Sequence, residues 1–124
     1  MGYSTATIGC GRMARGHAHT FFEVDLPLVA GVEISEQSLA KWRTDFGAGQ
    51  KVYTDMHLML AEAKPDLVAV VTPEQAHCEA VVAAAEVGAE GIICENPPCM
   101  NLAETERMID VCKKTGTMLA VDHQ

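Results

Sequence analysis

This chain predicts an α/β fold, a doubly wound and mainly parallel sheet of six strands in the order 3-2-1-4-5-6, with helices on both faces in three layers. Three features point to it. Hydrophobic periodicity switches repeatedly between short β-like runs and longer amphipathic ones. The run Leu67-Val68-Ala69-Val70-Val71 is apolar without alternation, as a strand covered on both faces should be. Finally, Gly9-Cys10-Gly11-Arg12-Met13-Ala14 directly follows the first β-like run and opens a helix-like stretch.

The strands are expected at Ser4 to Ile8, Leu28 to Glu33, Lys51 to Tyr53, Leu67 to Val71, Gly91 to Cys94 and Met118 to Val121. The first is the most polar, carrying Ser4, Thr5 and Thr7. Leu39, Trp42 and Phe46 recur at helical spacing after Ser35, an N-cap candidate, and Gly47 can stop that helix. Asn101 and Glu104 begin the last helix; Met108, Val111 and Cys112 form its apolar stripe, and Gly116 ends it. Pro65-Asp66 marks the turn into the fourth strand. In the predicted order the first and fourth strands diverge at the switch point, where ligands bind beyond the C-terminal strand ends. That edge gathers Gly9 to Met13, Glu33, Thr72-Pro73 and Glu95 to Pro97.

The glycine segment reads as a dinucleotide-binding turn. Gly9 permits the tight strand-to-helix turn, Gly11 lets the backbone approach a pyrophosphate, and Ala14 lets the helix lie close on the strand. The helix N-terminus, with free N–H groups and a positive dipole end, favours the phosphates. Glu33 follows at the spacing of a carboxylate that accepts the adenosine ribose hydroxyls. Ile34 and Ser35 come next, with no arginine to cradle a 2′-phosphate, so NAD is expected in preference to NADP.

Length and charge bound the alternatives. The 124 residues suit one domain and are too few for a two-domain dehydrogenase. Nine basic against seventeen acidic residues give a net charge of −8, so nucleic acid is not an expected partner. No apolar run approaches a membrane span and no signal peptide is evident, so a cytoplasmic protein is expected. The five cysteines lack metal-ligand spacing and read as reduced, structural thiols.

Several segments together resemble the N-terminal half of the glucose-fructose oxidoreductase, inositol dehydrogenase and MocA oxidoreductase family: the glycine turn through His17, Gly31-Val32-Glu33, Pro65 to Pro73, His77, Cys94-Glu95-Asn96-Pro97, and Val121-Asp122-His123-Gln124. The resemblance implies a dinucleotide-binding Rossmann domain over residues 1–124, without the family's C-terminal substrate and oligomerisation domain. It implies that Thr72 and Pro73 form the loop beside the cofactor's phosphates and ribose, with His77 near the start of the next helix. Glu95 would reach toward the nicotinamide ribose, and His123-Gln124 would begin the segment leading to the second half. The cofactor-binding set is thus Gly9, Gly11, Arg12, Met13, Glu33, Ile34, Thr72, Pro73, His77, Glu95, Asn96 and Gln124. The family pattern Glu-Lys-Pro is Glu95-Asn96-Pro97 here. An amide hydrogen-bonds but cannot carry the lysine's charge or move its proton, so no catalytic residue is assigned.

Other residues read structurally. His17 and His19 point in different directions on a helix, and no metal site is expected. His57 and His123 stand alone, whereas His77 gains from its place beside the cofactor edge. Met56, Met59 and Met100 suit core filling, and Glu74, Glu79, Glu86 and Glu90 a solvated face. The leading expectation is an NAD(P)-binding domain of an oxidoreductase acting on sugar- or cyclitol-like CH–OH groups, inactive alone, with weak or no specific oligomer. The alternatives are a stand-alone nucleotide sensor or interaction module without catalysis and, last, an S-adenosylmethionine-binding protein.

Overall fold

Six parallel strands form a single sheet in the order β3-β2-β1-β4-β5-β6 in the computed structural model of the chain, as the periodicity predicts. The structure describes residues 3–9, 17, 23, 26–33, 35–46, 51–72, 74–95 and 102–122. The strands are β1 (Thr5–Ile8), β2 (Leu28–Val32), β3 (Lys51–Tyr53), β4 (Leu67–Val70), β5 (Gly91–Glu95) and β6 (Met118–Asp122). Four helices described along their length are α1 (Glu36–Phe46), α2 (Met56–Ala63), α3 (Glu74–Glu86) and α4 (Leu102–Thr115). Between β1 and β2, His17 and Glu23 are helical.

The ends of the helices follow from local chemistry. Ser35 caps α1 by accepting the Ser38 N–H on its hydroxyl at 3.3 Å. The Asp55 carboxylate does the same for α2, taking the His57 N–H at 2.9 Å. That helix stops at Lys64, which adopts a left-handed φ of 44° just before Pro65. Gly116 ends α4 with φ 76°, and the next N–H, from Thr117, returns to the Cys112 carbonyl at 2.9 Å. This 6→1 bond satisfies a carbonyl the helix leaves open.

One sheet face carries Ala6, Ile8, Ala30, Val32, Val68, Val70, Ile92 and Cys94, packed against the buried alanines and valines of α3 and Met108 and Cys112 of α4. Met59 of α2 is fully buried in this cluster, and Met56 packs against it. The opposite face holds Leu28, Ala69 and the fully buried Trp42 of α1, so helices cover both faces. Leu28 reaches that second face because the β1·β2 register shifts: Thr5 pairs with Leu28, but Ala6 pairs with Ala30. The extra residue, Val29, reverses the alternation on one side of the step. The side chains of Leu39 and Phe46 lie outside those described.

Strand boundaries differ from expectation by single residues. Ser4 stands just outside β1, where the Asp66 carboxylate accepts its N–H at 2.9 Å. Val71 still donates to the Ile8 carbonyl at 2.9 Å, but the chain bends at Thr72. Both β5 and β6 run one residue further because Glu95 pairs with Asp122.

Candidate functional site

Parallel pairing brings the C-terminal ends of β2, β1 and β4 side by side, and backbone hydrogen bonds lock the residues that follow them. Gly9 donates to the Val32 carbonyl at 2.7 Å, Glu33 to the Tyr53 carbonyl at 2.9 Å, and Val71 to the Ile8 carbonyl at 2.9 Å. The first residue beyond each of these strands is therefore fixed by its neighbour. Gly9 has φ 107°, a conformation that residues with a Cβ rarely adopt. A Cβ there would stand 2.9 Å from the Val71 carbonyl oxygen and 3.5 Å from the Thr72 nitrogen. Both the backbone angle and the approach of the β4 loop require glycine at this position.

Glu33 lies one residue beyond the Val32 carbonyl that holds Gly9. It is half-buried, and its Oε2 accepts the Ser35 N–H at 3.1 Å. One residue, Ser35, therefore orients the carboxylate through its N–H and caps α1 through its hydroxyl. Thr72 follows Val71 at the edge of β4, where its Oγ1 is buried without a hydrogen-bond partner among the described residues. Such a hydroxyl has one donor and two lone pairs to offer. His77, in the first turns of α3, is 2% exposed, and its Nε2 bonds to the Thr72 carbonyl at 2.5 Å.

Glu95 closes β5, the strand beside β4, so its backbone lies at the same sheet edge. Its side chain is not among those described. Gly9, Glu33, Thr72 and His77 thus gather along one edge. Gly11, Arg12, Met13, Ile34, Pro73, Asn96 and Gln124, also expected in the site, lie outside the described residues, as do Cys10, Cys99 and Met100. Sequence reasoning missed two members of the framework, the Val71 carbonyl over Gly9 and the Ser35 N–H on Glu33. The first is a main-chain contact without a side-chain signature, whereas Ser35 was legible only as a helix cap.

Cys78, Cys94 and Cys112 are buried, the Cys78 thiol donating to the Glu104 carbonyl at 3.7 Å, and burial pushes the Cys112 thiol above its ordinary 9.0. The Tyr53 hydroxyl is raised too, by burial first and then by its 3.0 Å hydrogen bond to Glu62. His57 is not solitary, since its Nε2 lies 3.1 Å from the Glu79 carboxylate on the surface. Among the described residues no cluster of His, Cys, Asp and Glu could hold a metal ion, and no helix is long and apolar enough to cross a membrane.

Residues 3–123 match the model of an oxidoreductase family with an NAD-binding Rossmann fold. The chain is 35% identical over 119 residues to the D-glucoside 3-dehydrogenase of Escherichia coli (strain K12), covering 94% of this chain and 33% of that protein. It is 30% identical over 113 residues to the myo-inositol 2-dehydrogenase of Thermotoga maritima, covering 90% of this chain and 33% of that protein. The chain therefore spans about a third of the length of these curated relatives. Its fold superposes on that of the scyllo-inositol dehydrogenase of Lactobacillus casei, solved with bound NAD(H) and scyllo-inositol, with a TM-score of 0.87. That match is 19% identical and covers 98% of this chain and 36% of the other.

Proposed function

Because this chain belongs to the glucose-fructose oxidoreductase, inositol dehydrogenase and MocA oxidoreductase family, with its NAD-binding Rossmann fold, we propose that it holds NAD in preference to NADP along the edge formed by Gly9, Glu33 and Thr72. The observation that carries this reading is the hydrogen bond from Gly9 to Val32. It sets a turn that only glycine can make directly beside an oriented carboxylate. The donor set fits a dinucleotide. Glu33 offers acceptors to the adenosine ribose hydroxyls, and a 2′-phosphate there would meet like charge. On this reading Gly9, Gly11, Arg12 and Met13 would bind the pyrophosphate, and Ile34 would belong to the same cofactor-binding set. The buried Thr72 hydroxyl gains a partner when a phosphate or ribose oxygen lies against the Thr72-Pro73 loop.

Glu95, Asn96 and Gln124 serve the nicotinamide end. Bound NAD would supply a hydride acceptor, and the NADH form a donor. Asn96 can orient a substrate hydroxyl or carbonyl by hydrogen bonding but cannot act as its acid or base. On this reading the chain binds cofactor and by itself turns over little. The relatives' names, a glucoside and an inositol dehydrogenase, support sugar- or cyclitol-like CH–OH groups as the substrate class of the whole protein. Asn96 also favours a second reading, a nucleotide-responsive module without chemistry.

The test is calorimetric titration of the wild-type chain and Glu33→Ala with NAD and NADP. Preference for NAD, narrowed by Glu33→Ala, is expected; equal or inverse preference in the wild type refutes the assignment of Glu33. Because the chain alone turns over little on either reading, whether the native reading frame continues past Gln124 into a substrate domain distinguishes the two. A lysine at position 96 (Asn96→Lys) should raise activity only where the chemistry is oxidoreduction.

A further inference from the structure

We infer that His77 is a positioning residue: it shapes the loop after β4 for the dinucleotide by holding the Thr72 carbonyl, and it does not itself contact the cofactor. The inference rests on the cofactor reading above and adds a residue that acts through another. A backbone carbonyl carries no proton, so the His77 Nε2 within hydrogen-bond distance of the Thr72 oxygen must be the protonated nitrogen. That bond fixes the tautomer and ring orientation of a side chain only 2% exposed.

The bond lies where it can govern the site. Thr72 stands between two fixed points. On one side Val71 donates to Ile8, and its carbonyl crowds Gly9. On the other begins α3, from Glu74. The Thr72 carbonyl lies two residues ahead of that helix, and the imidazole reaches back from the fourth helical residue to engage it. Rotation of the Thr72 peptide would break this bond and leave the imidazole N–H, on a side chain only 2% exposed, without that partner, a cost comparable to a lost hydrogen bond. The hydroxyl of the same residue is buried and without a partner among the described residues, so the backbone that His77 holds is the one that presents this group. His77 thus ties the loop after β4 to α3.

The test compares the wild-type chain with His77→Gln, whose amide N–H can reach the same carbonyl, and His77→Leu, which fills the space without a donor. NAD titration is combined with thermal unfolding and with long-range nitrogen–proton NMR of the imidazole. Loss of the bond should weaken NAD binding about tenfold in His77→Leu, with Gln restoring it to within about threefold. The wild-type ring should show the Nε2–H tautomer with or without cofactor. A folded His77→Leu with unchanged NAD affinity would overturn the inference, as would His77→Gln binding no better than Leu. An Nδ1–H tautomer in the wild type would also overturn it, and if His77→Leu does not fold, a folded His77→Gln binding NAD more than about threefold more weakly than the wild type overturns it. Should the wild type bind no dinucleotide, the cofactor reading falls. The positioning role falls with it, even where the tautomer shows that the bond exists.

Discussion

The N–H of Gly9 bonds to the carbonyl of Val32 at 2.7 Å, so Gly9 after β1 is held directly beside Glu33 after β2. Their spacing is set by backbone hydrogen bonding and not by flexible side chains. The Val71 carbonyl closes over the turn from the other side.

Gly9→Ala should therefore damage both stability and binding. The substitution forces a Cβ into a φ of 107° and to 2.9 Å from a backbone oxygen that is itself held in place. Strain of this kind costs about 1–3 kcal/mol, and the carbonyl contact adds to it. Urea unfolding should show a loss of at least about 2 kcal/mol, and NAD titration a marked loss of affinity.

Asp66 secures the opposite end of the sheet. Its carboxylate accepts the N–H and hydroxyl of Ser4, and its carbonyl accepts the N–H groups of Glu90 and Gly91. Asp66→Ala leaves the Ser4 N–H without its acceptor and should cost about 1–2 kcal/mol of stability. Because this end lies away from the candidate site, NAD affinity at temperatures where the variant is folded should stay within about twofold, the scale of independent sites. Denaturant curves and NAD titration measure the two effects separately.

Cys112 gives a pH dependence of known sign. Burial disfavours its thiolate, so the folded chain holds the proton more tightly than the unfolded chain does. The stability linked to this group is fully present below 9.0 and is lost as pH rises past that value toward the raised folded pKa. Urea unfolding of the wild type against Cys112→Ala should show a shallower alkaline decline in the variant. The variant should also sit about 1 kcal/mol lower near neutral pH, from lost packing.

Much of this was legible in the sequence, for reasons that can be traced. The unalternating run at Leu67 announced a strand buried on both faces, and the six apolar runs gave the observed strand order through the rules of parallel connection. Ser35 and Gly116 marked helix ends because capping chemistry is local. The one-residue shift at Val29 was not legible, since register depends on a partner strand and turns Leu28 to the face opposite Ala30. Nor did local pattern disclose the His77 bond to Thr72 or the His57 contact with Glu79, which arises only after α2 and α3 pack. At the sheet edge, the common placement of Gly9, Glu33, Thr72 and Glu95 was readable, whereas the Val71 carbonyl that makes Gly9 obligatory belongs to the folded backbone.

Direct titration of the 124-residue chain with NAD and NADH, with S-adenosylmethionine as the competing ligand class and Gly9→Ala as the control, tests the central claim most directly. Saturable dinucleotide binding at one site per chain, weakened in Gly9→Ala and absent for S-adenosylmethionine, is the predicted result. Failure of the folded wild-type chain to bind either dinucleotide at millimolar concentration, or tighter binding of S-adenosylmethionine, would contradict it.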